Sequence, residues 1–491
     1  MMRFIDDKSL DRLGYRSLLN RVETLSPYGK EKLNKLFFYV QGQENLLAEE
    51  YRRMEKLRLF FKDNDDVLYD IESNIHSLKN IKNILKNINN VILDEVDICE
   101  IKVQIMSFIK IRNIIINHAD IFEKLILSDL TKLFEELDPR NEKTPTFYIY
   151  DEYSDKLREI RKLKKEIENK IFITKGYEEI QKLKEDRLNL VVEEEKEEAV
   201  IKRKLSSSII KYADDILENI NKVGEIDLII AKIKFAEKYG GVKPEVNLEN
   251  KIYMKEMVNI ELKEILEKQG KKYTGIDIEL KKGATVITGA NMGGKSVALK
   301  TITENILLFH MGFYVFGKEA SIPLFNYIFF ISDDMQDLSR GLSTFGSEII
   351  KLKEINVFLK QADGFIVFDE FARGTNPKEG QKFVKALINY LNTKSSISLL
   401  TTHFDGVISD DVAHYQVIGL KNLDLNKIKN KLILNKNSIE VIQDNMDFRL
   451  EKSESKKVPE DALNIARLIG IDKELSDMII KEYDKEELLN G

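Results

Sequence analysis

Apolar residues recur every three or four positions through the first part of the chain, which predicts successive helices over residues 1 to about 145. Leu33, Leu36, Phe37 and Val40 form one stripe and Ile81, Ile84 and Leu85 another, and helix-bundle core accounts for both. Ser26-Pro27 reads as a helix start with proline in the first helical position. Two longer amphipathic helices are expected over residues 153–171 and 205–236, as an antiparallel pair. Between them, residues 176–204 hold a strand-like run at 188–192 and an acidic run of Glu193, Glu194, Glu195, Glu197 and Glu198.

Gly240-Gly241-Val242-Lys243-Pro244 is the clearest breaker in the chain, and the pattern changes after it. Apolar runs at 284–288, 327–331, 364–368 and 396–401 alternate with helical stretches, which predicts an α/β domain with a largely parallel sheet. From residue 444 a charged loop at 451–457 and short helices at 459–469 and 473–481 are expected.

Composition narrows the function classes. A length of 491 residues suggests several domains, and 33% charged residues with 7 prolines and no tryptophan fit charged surface helices. Cys99 is the only cysteine, so neither a disulfide framework nor a cysteine-rich metal site is expected. No apolar run is long enough to span a bilayer, and a cytoplasmic, soluble protein without a membrane partner is expected. The net charge of -6 gives no overall attraction to a phosphate backbone. Residues 151–204 carry 15 acidic and 15 basic side chains, so the expected arm carries no net positive charge to hold DNA.

The candidate chemistry begins at residues 289–296. Gly289, Ala290, Asn291, Met292, Gly293, Gly294, Lys295 and Ser296 fit G-x-x-x-x-G-K-[ST], in which backbone N–H groups and a helix N-terminus cradle phosphates. Lys295 would reach the β- and γ-phosphates of ATP, and the Ser296 hydroxyl would meet Mg²⁺. Residues 364–370 form an apolar strand ending in two carboxylates, as such a site requires. Asp369 suits the Mg²⁺ water shell, and Glu370 suits activation of the attacking water. His403 closes a further strand and would face the γ-phosphate, while residues 343–348 read as a helix start able to meet an anion.

TGANMGGKS, LSTFGSEI, FIVFDEFARGTNPKEG and TTHF, in this order, resemble the ATPase domain of the MutS mismatch-repair family, a relative of ABC-type ATPases. Asn291-Met292 and Arg373-Gly374-Thr375 carry the more specific part of the likeness. The resemblance implies a P-loop (ABC-type) α/β ATPase domain at 241–443, preceded by an all-α core and lever domain at 1–240 whose clamp is shortened to an arm at 172–204. Residues 446–452 and 462–470 resemble the family's C-terminal dimerisation segment, placed at 444–491. It also implies a homo- or heterodimer in which Ser343 completes the partner's ATP site in trans, with Gly374-Thr375-Asn376 at the interface.

Departures from the family pattern point to a short form without the mismatch-recognition and connector domains, with no Phe-x-Glu reader and no nuclease-like tail. Lys255-Glu256-Met257-Val258-Asn259 stands where an Arg-His-Pro-like segment is expected, so no adenine contact is assigned. Two functions follow from the resemblance. One is an ATP-dependent protein that binds branched or irregular DNA, weakly given the neutral arm. The other is an ATP-driven factor that remodels a protein client, such as a reactivase for a cobalamin-dependent aminomutase.

Overall fold

The computed structural model describes residues 4–289, 294–332, 344–419, 447–455, 466 and 471–490. The first part of the chain is helical: α1 (Asp7–Arg12), α2 (Tyr15–Leu19), α3 (Pro27–Asn34), α4 (Glu44–Asp63), α5 (Asp65–His76), α6 (Lys82–Asn87), α7 (Glu95–Ile116), α8 (Ala119–Phe122), α9 (Thr131–Leu137), α10 (Asp155–Ile173), α11 (Tyr177–Lys211) and α12 (Ala213–Tyr239). Strands and helices then alternate: β1 (Gly241–Val242), β2 (Glu245–Asn247), β3 (Lys251–Met257), α13 (Ile260–Lys268), β4 (Ile276–Lys281), β5 (Gly283–Thr288), α14 (Lys295–His310), β6 (Val315–Phe316), β7 (Glu319–Pro323), β8 (Ile328–Ile331), α15 (Thr344–Phe358), β9 (Phe365–Phe368), α16 (Pro377–Asn392), β10 (Ile397–Thr401), β11 (Ala413–Gly419), β12 (Asp447–Lys452) and α17 (Lys473–Asn490). Among the described residues no helix is long and apolar enough to cross a membrane.

The chain divides into two compact units. One comprises Glu23–Leu36 and Arg53–Ile233. Its α3 starts as the sequence suggests, with the Ser26 hydroxyl accepting a hydrogen bond from the Gly29 N–H and Pro27 in the first turn. The buried Asp227 carboxylate ties down this start by accepting from the N–H groups of Leu25 and Ser26 and from the Ser26 hydroxyl.

Two expectations about the arm need correction. The partner of α10 is α11, and the strand-like residues 188–192 lie inside α11. The acidic run explains both: Glu194 and Glu198 meet Arg161, Glu194 also meets Lys164, and Glu197 meets Lys156. Arg187 meets Glu168 further along, which fixes an antiparallel hairpin. A β-propensity of two adjacent valines is outweighed by a helix-long series of such pairs. The helix expected over 205–236 is also interrupted: Tyr212, at φ -103° and ψ 8°, separates α11 from α12.

The second unit comprises Met1–Val22, Phe37–Arg52 and Lys234–Gly491. Two stretches of the N-terminal helical region therefore cluster with the α/β part. Phe4 accepts a hydrogen bond from the Ile328 N–H at 2.7 Å, and the Tyr51 hydroxyl donates to the carbonyls of Phe309 and Phe313.

The main sheet has the order β12-β11-β5-β10-β9-β8, with β11, β5, β10, β9 and β8 mutually parallel and β12 antiparallel at the edge. Every residue of β5, β8, β9 and β10 is buried, as expected of parallel strands covered on both faces. Ile355 of α15, Leu359 just after it, and Val384, Leu387, Ile388 and Leu391 of α16 join Val286, Ile366, Phe368 and Leu400 of the strands in one apolar core. The expected short helix at 473–481 is the start of the longer α17. The one expected at 459–469 lies outside the described residues, apart from Ala466.

Candidate functional site

Register brings the candidate residues together. Thr401 at the end of β10 pairs with Ile287 of β5 on one side, and Leu400 pairs with Phe368 of β9 on the other. Gly289, Asp369, Glu370 and His403 therefore emerge at neighbouring carboxyl ends of a parallel sheet, where open α/β folds bind ligands.

The cradle is backbone-shaped at both described ends. Gly289 has φ +149° and Gly294 φ +93°, and a Cβ on Gly294 would stand 2.3 Å from the ring of Phe448. α14 begins at Lys295, so its first N–H groups point toward this loop. Ala290, Asn291, Met292, Gly293 and Ser343 lie outside the described residues.

Lys295 is 4% exposed. Its ammonium donates to the Gly289 carbonyl at 2.9 Å and lies 3.2 Å from Glu370 Oε1. The other oxygen of Glu370 is 2.9 Å from Arg373 Nη1 and 3.9 Å from His403 Nδ1. The His403 ring lies tilted against that of Phe404, with ring centroids 4.4 Å apart.

Asp369 faces a different set of partners. The Thr401 hydroxyl donates to Asp369 Oδ1 at 2.8 Å and accepts from the Glu370 N–H at 2.9 Å, so one side chain fixes both members of the acidic pair. Burial pushes the Asp369 carboxyl above its ordinary range, against hydrogen bonds from Thr401 and Ser296 that favour the charged form.

The backbone around the pair is strained. Glu370 sits at φ +53° and Ala372 at φ +63°, a left-handed conformation that side-chain-bearing residues rarely adopt. Non-glycine residues held this way are frequent at active sites, where surrounding contacts over-determine them.

The structure thus brings Lys295, Asp369, Glu370 and His403 into one cluster, with Ser296 hydrogen-bonded to Asp369. Sequence reasoning gave no role to Thr401, although a hydroxyl beside an acidic pair in the next strand was the available signal. It also missed the buried hydrogen bond at 2.8 Å between Thr288, at the end of β5, and His414 on β11.

Residues 285–473 match the family model described as MutS domain V. The chain is 32% identical over 225 residues to Endonuclease MutS2 of Caldicellulosiruptor saccharolyticus, covering 45% of this chain and 27% of that protein. It is 31% identical over 236 residues to Endonuclease MutS2 of Geobacillus sp., covering 45% of this chain and 29% of the relative. With the protein of the same name from Lactiplantibacillus plantarum it shares 29% over 221 residues, covering 44% and 27%. The chain thus spans little more than a quarter of the length of these curated relatives. The whole described cluster lies inside the segment that matches domain V, so the likeness to the MutS family rests on the part of the chain that holds the site.

Proposed function

We propose that this protein is a Mg²⁺-dependent ATPase that works as a dimer and couples ATP turnover to the binding of branched or otherwise irregular DNA. The observation that carries the ATPase reading is the cluster at the strand ends, where Lys295, Asp369 and Glu370 converge beside the Gly289 and Gly294 backbone. MutS domain V and the relatives named Endonuclease MutS2 support the link to ATP and DNA.

The residues present fit the implied ligands. A backbone that leaves no room for a Cβ at Gly294, next to a helix N-terminus and a buried lysine, suits phosphate oxygens. Among the described residues there is no group of three His, Cys, Asp or Glu that could hold a metal by themselves. Mg²⁺ needs no such group, since it takes one or two carboxylates together with water and substrate phosphates. Asp369 and Ser296 would hold it, and it would neutralise developing charge on the phosphates. Glu370 would orient and deprotonate water, Lys295 would hold the β- and γ-phosphates, and His403 would face the γ-phosphate. Ala290, Asn291, Met292 and Gly293 would line the cradle, and Ser343 would complete the partner's site.

The domain assignment follows the same reading. The helical core and lever would occupy 1–240, less the stretches that cluster with the α/β unit, with the arm at 172–204. The ATPase domain would occupy 241–443 and a dimerisation segment 444–491. The cellular place consistent with these ligands is the cytoplasm.

One observation favours a second reading, ATP-driven remodelling of a protein client such as a cobalamin-dependent aminomutase. At the hairpin end between α10 and α11, Phe172, Ile173 and Tyr177 are 88%, 79% and 77% exposed. An apolar tip suits a protein surface better than a row of phosphates. Binding of a branched duplex, measured against salt with MgATP present, tests the choice. The DNA reading expects affinity that falls steeply with salt and responds to nucleotide. Binding already lost at physiological salt, with or without nucleotide, would overturn it in favour of the protein client.

A further inference from the structure

A third carboxylate, fully buried, stands behind the acidic pair. Glu348, on the second turn of α15, is fully buried, and its Oε2 accepts a hydrogen bond from the Ala372 N–H at 3.0 Å. Burying a carboxylate is unfavourable unless hydrogen bonds compensate it, so its placement against a backbone N–H in the core calls for a reason.

The reason lies in the turn it grips. Glu370 and Ala372 both have positive φ, and Ala372 is itself fully buried. On the far side, α16 approaches so closely that a Cβ on Gly380 would stand 3.0 Å from the Ala372 carbonyl oxygen and 2.6 Å from Phe404 Cζ. The turn is therefore clamped, with its N–H on α15 and its carbonyl against the one α16 residue that has no side chain. Released from that clamp, residues 370–372 would relax toward negative φ, and the Glu370 carboxylate would swing away from Lys295.

We infer that Glu348 is a positioning residue for Glu370: reaching from α15, it holds the left-handed turn 370–372 that aims the Glu370 carboxylate at Lys295. The inference rests on the reading of the cluster as an ATPase site. It links the start of α15 to the turn that follows the acidic pair through the Glu348–Ala372 hydrogen bond.

The test compares two variants of the full chain that treat reach and charge oppositely, with wild type and Glu370→Gln in the same assay. Glu348→Asp keeps the charge but withdraws the oxygen by one methylene. It should lower the ATP turnover number by about tenfold to a hundredfold, the scale of a small misplacement of a reacting group, while nucleotide affinity is unchanged. Glu348→Gln keeps an acceptor oxygen at full reach and should stay within about threefold of wild type, since the bond to the Ala372 N–H loses only its charge-assisted part. Adding Ala372→Gly to Glu348→Asp should restore part of the turnover, because glycine takes positive φ without strain.

Wild-type turnover in Glu348→Asp would overturn the inference, as would a Gln variant impaired as badly as the Asp variant, or a loss in nucleotide affinity instead of turnover. Each of these outcomes, seen beside an active wild type and a slow Glu370→Gln, defeats the positioning role alone. An inactive wild type defeats the ATPase reading and the positioning role together.

Discussion

The strand-end cluster and the α10–α11 arm are both dense in charge, yet they treat it in opposite ways. At Asp369 and farther along α14, which runs away from the cluster, burial works against the charged form. It pushes Asp369 up, pushes Glu304 on α14 up to about 8, and pushes His310, at the end of that helix, down to about 4. In the arm, ion pairs win. Burial opposes charge on Arg161, but Asp151, Glu194 and Glu198 together raise it. Glu194 is likewise held below the usual carboxylate range by Lys164 and Arg161 in spite of burial, and Glu197 by Ser154 and Lys156. In the first region burial favours the neutral forms of these groups, and the second matches its cations with its own carboxylates. An arm built this way has little net field to offer a polyanion.

The largest stability effect expected from this contrast belongs to Glu304. Its carboxyl accepts from Asn259 Nδ2 at 2.8 Å, and it faces Glu261 of α13, Lys300 of α14 and Arg21. Burial is the main cause of its raised value, and the Glu261 charge adds to it. A group whose folded value lies above its unfolded value stabilises the fold at low pH and loses that contribution as pH rises. Here the window runs from about 4.5 to about 8, with a slope of about 1.4 kcal/mol per pH unit. Glu304→Gln, which keeps the acceptor for Asn259, should flatten that part of the profile and be more stable than wild type at pH 8. Chemical denaturation of both proteins at pH 5 and pH 8 measures it. Equal slopes would mean that Glu304 is solvated and that burial does not set the character of the region.

A smaller effect is expected in the arm. Arg161→Ala breaks contacts to Asp151, Glu194 and Glu198, all of them partly exposed to water. The loss should be about 1 kcal/mol and should shrink further at high salt. Denaturation at low and high ionic strength would show it. A salt-independent cost of several kcal/mol would make the arm another buried-charge region and erase the contrast.

The two regions also differ in how much of them could be read in advance. The strand-end cluster was legible because a glycine loop, a lysine and an acidic pair occupy fixed places along the chain, and apolar runs mark the strands that carry them. Local sequence could not say that Thr401 would hold Asp369 and Glu370 together, because that depends on β9 and β10 being neighbours 32 residues apart. Glu348 was hidden for the same reason, its partner Ala372 being 24 residues away. In the arm, the acidic run gave no sign of its partners because its cations lie 30 to 41 residues earlier on α10. The break at Tyr212 left no proline or glycine signal, and the apolar spacing runs straight through it.

The central claim is that Glu370 activates water at a nucleotide site formed with Lys295 and Asp369. Steady-state ATP turnover of Glu370→Gln, measured together with its equilibrium affinity for ATP, tests it most directly. The account predicts turnover lowered by about 10² to 10⁴, the usual effect of removing a positioned base, with ATP binding retained. Turnover equal to wild type in Glu370→Gln would contradict it.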